Sequence, residues 1–157
     1  MEININVFEP QFSLEHLALE VYVAGCRQHC PGCHNPESWD FSAGQTYSAR
    51  WFRRLKMLVQ NNTRIVRNLW LLGGEPLDQR HSELCKLLYL LESLNLPLWL
   101  FTSYEMDQIP DYIKCSFDYI KTGKYLKDCP TPAHTREQGV HLASTNQRIY
   151  RRGKDFD

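Results

Sequence analysis

The chain has 157 residues, with 18 Lys and Arg against 18 Asp and Glu, 43% hydrophobic residues and 23% charged ones. That length predicts a single domain over residues 1–157 that can bury a core, and a net charge of zero offers no electrostatic ground for nucleic acid or an anionic membrane as a partner. No apolar run approaches the roughly 20 residues of a membrane helix. The opening MEININVFEP lacks the basic-then-apolar order of a signal peptide, so a cytoplasmic location is expected.

In chain order, Leu17 to Gly25 (LALEVYVAG) is apolar, contains Val-Tyr-Val and ends at a glycine, which predicts a strand. A cysteine-bearing loop follows. Ser48 to Gln60 opens on a capping serine and repeats Phe52, Leu55 and Val59 at helical spacing, the mark of an amphipathic helix. Arg67 to Pro76 (RNLWLLGGEP) reads as a second strand running into a Gly-Gly turn. Asp78 to Asn95 places Leu84, Leu87, Leu88, Leu91 and Leu94 along one helix face. Leu96 to Tyr104 (LPLWLFTSY) reads as a third strand, Asp107 to Lys114 as a short helix, and Ser116 to Tyr125 (SFDYIKTGKY) as a fourth strand with its turn. Leu126 to Thr145 shows neither period and reads as a long loop, and Asn146 to Arg152 (NQRIYRR) as a final strand. The alternation predicts an α/β fold with a mostly parallel sheet of about five strands. A closed eight-fold barrel takes about 250 residues, so an open, partial (β/α) barrel is expected. In such sheets ligands collect beyond the carboxyl ends of the strands, where the cysteine loop and the Gly-Gly turn both fall.

Three of the six cysteines, Cys26, Cys30 and Cys33, fall within Val23 to Trp39 (VAGCRQHCPGCHNPESW) with C-x3-C-x2-C spacing. In a reducing compartment so tight a group reads as a metal site or as catalysis, not as a disulfide framework. Cys85, Cys115 and Cys129 are scattered and read as packing or surface residues. Thiolates suit zinc, copper(I) and iron–sulfur clusters. Structural zinc wants four protein ligands, usually in two separated pairs; His29 or His34 is available as a fourth, but there is only one compact group. A four-iron cluster usually takes four cysteines, and three leave one iron open, as the open position of catalytic zinc is where its chemistry happens. The spacing therefore favours an iron–sulfur centre, with zinc as the competing reading.

Cys26-x3-Cys30-x2-Cys33 resembles the signature of the radical S-adenosylmethionine superfamily, and Gly73-Gly74-Glu75-Pro76 at the next strand end resembles its second motif. The longer pattern Cys26, Cys30, Gly32, Cys33, Asn35, Ser38, Trp39 is similar to the cysteine loop of the activating enzymes of anaerobic ribonucleotide reductase. GQTYS (Gly44 to Ser48), WLFTSY (Trp99 to Tyr104), GKY (Gly123 to Tyr125) and STNQR (Ser144 to Arg148) also sit where that family has similar strings. The departures are a missing Gly-Pro-Gly turn and arginine before the first strand, Thr122 in place of an aspartate, Ser103 in place of a glycine, and His141-Leu142-Ala143 in place of Trp-Arg-Gly.

The resemblance implies a radical S-adenosylmethionine type of fold, with a [4Fe–4S] cluster on Cys26, Cys30 and Cys33 and S-adenosyl-L-methionine on the open iron. It implies that Gly73, Gly74 and Glu75 receive the amino group of the methionine part, with Asn35 and Lys124 as further cofactor contacts, Lys124 toward the carboxylate. Read without it, Asn35 caps a turn, Glu75 is a turn residue, Trp39 is packing, and Asn146 and Gln147 pair with backbone. The implied activity is reductive cleavage of S-adenosylmethionine to a 5′-deoxyadenosyl radical, which takes a hydrogen atom from a backbone glycine of the partner, the large subunit of anaerobic ribonucleotide reductase. A one-electron donor such as flavodoxin is implied as well. The departures leave a radical enzyme acting on another glycyl-radical partner, a peptide or a small molecule as an alternative, and a non-enzymatic zinc or iron–sulfur module as a third.

Overall fold

The structure, a computed structural model, describes residues 1–132 and 135–157. Its strands are β1 (Asn6–Val7), β2 (Gln11–Ser13), β3 (Ala18–Val23), β4 (Gln45–Thr46), β5 (Asn68–Gly73), β6 (Leu98–Phe101), β7 (Tyr119–Thr122), β8 (Arg136–Glu137), β9 (Val140–His141) and β10 (Arg148–Arg151). Its helices are α1 (Ala49–Asn61), α2 (His81–Glu92) and α3 (Asp111–Lys114). Strands β3, β5, β6 and β7 run parallel in that order and form the centre of an eight-stranded sheet. Antiparallel strands finish both sides, with β10 beside β7, β1 and β2 both beside β3, and β4 beside β1. Among the described residues the sheet stays open and does not close into a barrel.

Both long helices pack on one face. Helix α1 starts where the Ser48 hydroxyl accepts a hydrogen bond from Trp51 N at 3.1 Å, satisfying one of the free amides of the first turn. It then buries Trp51, Leu55 and Val59, while Phe52 is only half-buried. Helix α2 buries Leu84, Leu87, Leu88 and Leu91. They meet Leu19, Val21, Val23, Leu69, Leu71, Leu98, Leu100 and Ile120, which alternate along the central strands. Full burial of one such side chain is worth about 2 kcal/mol, so this face carries most of the stability. The other face has Ala18, Trp70 and Trp99 with Leu72, Phe101 and Tyr119, covered in part by Val140, Leu142 and Ile149.

Four elements differ from the sequence expectation. The sheet has eight strands because β1, β2 and β4 add two or three residues each, too few to show a period. The helix expected from Asp107 is divided: a 3₁₀ turn covers Met106–Gln108, and α3 begins only after Pro110. Proline disfavours the helical region at the residue before it, and Ile109 is extended with φ −95° and ψ 121°. The helix expected from Asp78 begins at His81, because Pro76–Asp78 form a 3₁₀ turn and Gln79 and Arg80 are extended. The segment expected as a loop from Leu126 to Thr145 holds the β8–β9 ribbon; residues 133 and 134 within it lie outside the described residues. No helix among the described residues is long and apolar enough to cross a membrane.

Candidate metal centre

The loop after β3 and the turn after β5 meet at the carboxyl edge of the sheet. Gly74 N donates to Val23 O at 2.8 Å and Glu75 N to Gly25 O at 2.8 Å, while Gly25 N and Cys26 N reach across the cysteine loop to Ser38 O and Trp39 O at 2.7 and 3.1 Å. Gly74 is glycine for a steric reason: a Cβ there would lie 2.4 Å from Gly25 O and 2.7 Å from Ser38 O. At Gly73, φ is +125° and a Cβ would come within 2.4 Å of Val23 O. The close approach that this Gly-Gly pair permits is thus first of all to the cysteine loop itself.

Glu75 is 2% exposed. Its Oε2 accepts from Leu77 N at 3.0 Å and Thr102 Oγ1 at 2.8 Å, and its Oε1 from Ser103 N at 2.6 Å and Ser103 Oγ at 2.7 Å. An ionised carboxylate has about four lone-pair sites, and these donors fill them. Burial raises the pKa of Glu75, and the bonds from Ser103, Leu77 and Thr102 oppose that rise. Its carboxylate therefore ties the end of β6 to the turn after β5. Ser103, which departs from the glycine of the similar string, supplies two of the donors.

Asp78, expected on a helix, instead clamps the root of the cysteine loop. It is 5% exposed; its Oδ2 accepts from Arg27 N at 2.7 Å and its Oδ1 from the Tyr104 hydroxyl. Gln28 Nε2 donates to that hydroxyl at 3.0 Å, and Gln79 Nε2 donates to Ala24 O at 3.0 Å. Burial, with Asp78 as hydrogen-bond partner, pushes the Tyr104 phenol up to about 12. An acidic residue four positions past the Gly-Gly pair and just before a helical run was the signal available for Asp78; Tyr104 closes the string WLFTSY without being singled out there, and nothing in the sequence pointed to Gln28.

Cys26, Cys30 and Cys33 are free thiols and all line one cleft of about 560 Å³, which Gly73, Gly74 and Asn35 line as well. Cys26 and Cys30 are each 8% exposed. Burial raises both thiol pKa values, and the charge of Lys124 draws Cys30 back down. Gln28 N points at Cys26 Sγ at 3.3 Å and Asn35 N at Cys33 Sγ at 3.4 Å, and amide donors of this kind stabilise negative charge on sulfur. The thiols are soft donors of the kind an iron–sulfur cluster takes, they line the same cleft, and backbone amides point at two of the sulfurs, but among the described residues no three Cys, His, Asp or Glu side chains are gathered as a metal-holding group.

The remaining candidates are placed as follows. Asn35 precedes the Pro36–Ser38 turn but makes no side-chain cap; it lines the cleft, and its carbonyl accepts from Ser38 Oγ at 2.6 Å. Lys124 is exposed and does not line the cleft, though its charge acts on Cys30. His29 stacks on Trp39 with centroids 4.4 Å apart, and His34 tilts against Tyr125 at 5.0 Å, so both histidines are engaged with aromatic rings. Asn146 Nδ2 donates to Lys124 O at 2.8 Å and Gln147 Nε2 to Gly123 O at 3.2 Å, which fixes the turn after β7 by pairing with backbone.

A family described as a 4Fe-4S single cluster domain matches residues 17–150. The anaerobic ribonucleoside-triphosphate reductase-activating protein of Escherichia coli K12 is 30% identical over 141 residues, covering 83% of this chain and 85% of the relative. The protein of the same name from Enterobacteria phage T4 is 28% identical over 134 residues, covering 83% and 81%. That from Haemophilus influenzae is 29% identical over 140 residues, covering 83% and 85%.

Proposed function

The chain belongs to the family of anaerobic ribonucleoside-triphosphate reductase-activating proteins and to its 4Fe-4S single cluster domain, and on that premise we propose that it cleaves S-adenosylmethionine reductively and installs a glycyl radical on an anaerobic ribonucleotide reductase. The observation that carries this reading is the convergence of Cys26, Cys30, Cys33 and the Gly-Gly turn on one cleft. When bound, a [4Fe–4S] cluster supplies the single electron that splits S-adenosylmethionine into methionine and a 5′-deoxyadenosyl radical.

The chain's own residues hold and aim the reactants. Cys26, Cys30 and Cys33 would hold the cluster through their thiolates, and the methionine part of S-adenosylmethionine would bind beside it. Gly73 and Gly74 bring bare backbone to the ammonium. Glu75, its carboxylate fully occupied, acts through the turn that it fixes. Asn35 lines the cleft, and Lys124, whose charge acts on Cys30, serves the carboxylate. The reductase's glycine loop enters by the open face of the sheet. Transfer of one hydrogen atom from the glycine Cα gives 5′-deoxyadenosine and leaves a radical delocalised over the flanking amides. Water is kept from the cleft while the adenosyl radical exists, and a flavodoxin-like donor supplies the electron.

The test is made under anoxia. The reconstituted protein receives S-adenosylmethionine and dithionite, with and without an anaerobic ribonucleotide reductase. Expected are 5′-deoxyadenosine by chromatography and, with the reductase, a glycyl doublet by electron paramagnetic resonance. Deoxyadenosine without the doublet redirects the activity to another substrate, and zinc in place of iron with neither signal overturns it.

A further inference from the structure

The parallel strands set one residue each in a row across the open face. Tyr22 of β3 is opposite Leu72 of β5, Leu72 falls one step beyond the Leu71–Leu100 pair and so beside Phe101 of β6, and Phe101 is opposite Lys121 of β7. All four line the cleft that holds the cysteines. At about 4.8 Å per strand the row runs for about 14 Å, the length of roughly four residues of extended chain.

The row is graded chemically. At one end the Tyr22 hydroxyl is already bonded to Glu20. Leu72 and Phe101 make an apolar middle. At the far end the Lys121 ammonium lies 5.1 Å from the centre of the Phe101 ring, and none of the ion pairs among the described residues includes it. Burial alone, with no neighbouring charge contributing, depresses its pKa to about 8. A buried charge is ordinarily paired, and an ammonium held beside an aromatic face without a carboxylate gains a strong bond when an anion arrives.

We propose that this row is the track for the partner's glycine-bearing segment, with Leu72 and Phe101 taking its apolar residues and Lys121 anchoring a carboxylate next to them. This rests on the activase reading above. The occupant is the partner's chain and not the cofactor's carboxylate, because the cofactor is drawn to the cysteine loop, where the charge of Lys124 already acts on Cys30. Lys121 belongs to the same strand end as Lys124 but is set against the Phe101 ring in the apolar row.

The test uses the full-length reconstituted protein and blocked nonapeptides with a central glycine, flanking Leu and Phe, and one Asp or Asn stepped through the remaining positions. Binding is read by calorimetry. The best Asp peptide is expected to bind about tenfold tighter than its Asn counterpart, the worth of one charge-assisted hydrogen bond. K121M is expected to bind both equally, and K121R to keep the preference. Equal binding of Asp and Asn peptides by the unsubstituted protein, or a preference that survives K121M, overturns the proposal. So does a K121M protein that loses affinity for S-adenosylmethionine while its peptide preference stands, since the lysine then serves the cofactor. Failure of the activase reading shows separately, as absence of 5′-deoxyadenosine from the unsubstituted protein.

Discussion

The two faces of the central sheet are built from the same strands and differ in what their alternate residues do. In β5, Leu71 points to the helices and has no solvent exposure, while the next residue, Leu72, is half-buried and floors the cleft. The helix face is mostly aliphatic with Trp51 and Phe117 buried among it, and it is covered by α1, α2, the N-terminal Ile3 and Ile5, and Ile109, Ile113 and Phe117 around α3. The open face alternates rings with ionisable groups: Glu20, Trp70, Trp99 and Tyr119 in one row, then Tyr22, Leu72, Phe101 and Lys121 in the next. A side chain on the first face is worth what it removes from water. One on the second is worth what it recognises, and Lys121 is kept there at a cost in stability.

The largest effect separates chemistry from fold. Cys30→Ala is expected to abolish cluster assembly and S-adenosylmethionine cleavage, read by iron content and 5′-deoxyadenosine, while shifting the melting temperature of the metal-free protein little, because the small side chain lies at the cleft wall. Residual cleavage at the unsubstituted rate would sink the assignment of the cluster. Gly74→Ala couples both sides of the comparison, since its Cβ meets backbone of the cysteine loop. Overpacking of this kind costs about 3 kcal/mol, and the variant is expected to lose cluster occupancy as it loses stability. Unchanged urea midpoints would show that the rim tolerates separation.

Leu71 and Leu72 sharpen the contrast within one strand. Leu71→Ala leaves a cavity in a closed core and is expected to cost about 3 kcal/mol in denaturant unfolding, with the affinity for S-adenosylmethionine unchanged. Leu72→Ala removes a half-buried side chain and is expected to cost about 1 kcal/mol, while weakening capture of the reductase. Equal stability losses from the two would mean that the open face is a second core rather than a ligand floor.

The helix face was legible in the sequence because a repeated leucine at helical spacing and an unbroken apolar strand each have one physical reading. The three close-set cysteines were legible as a candidate site for a similar reason: C-x3-C-x2-C spacing has few ordinary structural uses, and the structure brings all three to one cleft. What the sequence hid is long-range pairing. Glu75 read as a ligand residue, yet its carboxylate is consumed by Thr102, Ser103 and Leu77, donors whose proximity depends on β5 and β6 lying side by side. Asp78 read as a helix residue because its partners, Arg27 N and Tyr104, are 51 and 26 positions away. Strands β1 and β2 exist because the longer β3 accepts them, and β4 because β1 does. Lys121 drew no attention in the strand YIKT, where an alternate polar residue is the ordinary mark of a solvated face.

The smallest effect tests that lysine by pH. A free lysine titrates near 10.4, while Lys121 in the folded chain is depressed to about 8 by burial. Below about pH 8 both states carry the proton, and the folded protein bears the full cost of an unpaired ammonium. Between about pH 8 and 10.4 the folded state has released the proton and the unfolded state still binds it. Stability therefore rises with pH across that window, by about 1 kcal/mol once screening at a partly open site is allowed for. K121M has no such group, so its melting temperature is expected to exceed that of the unsubstituted protein at pH 7 and the two to converge by pH 10. Parallel curves would show that the ammonium is solvated and the open face ordinary surface. A difference that vanishes at pH 7 when the best Asp peptide is added would identify the missing counter-charge as a carboxylate of the bound chain.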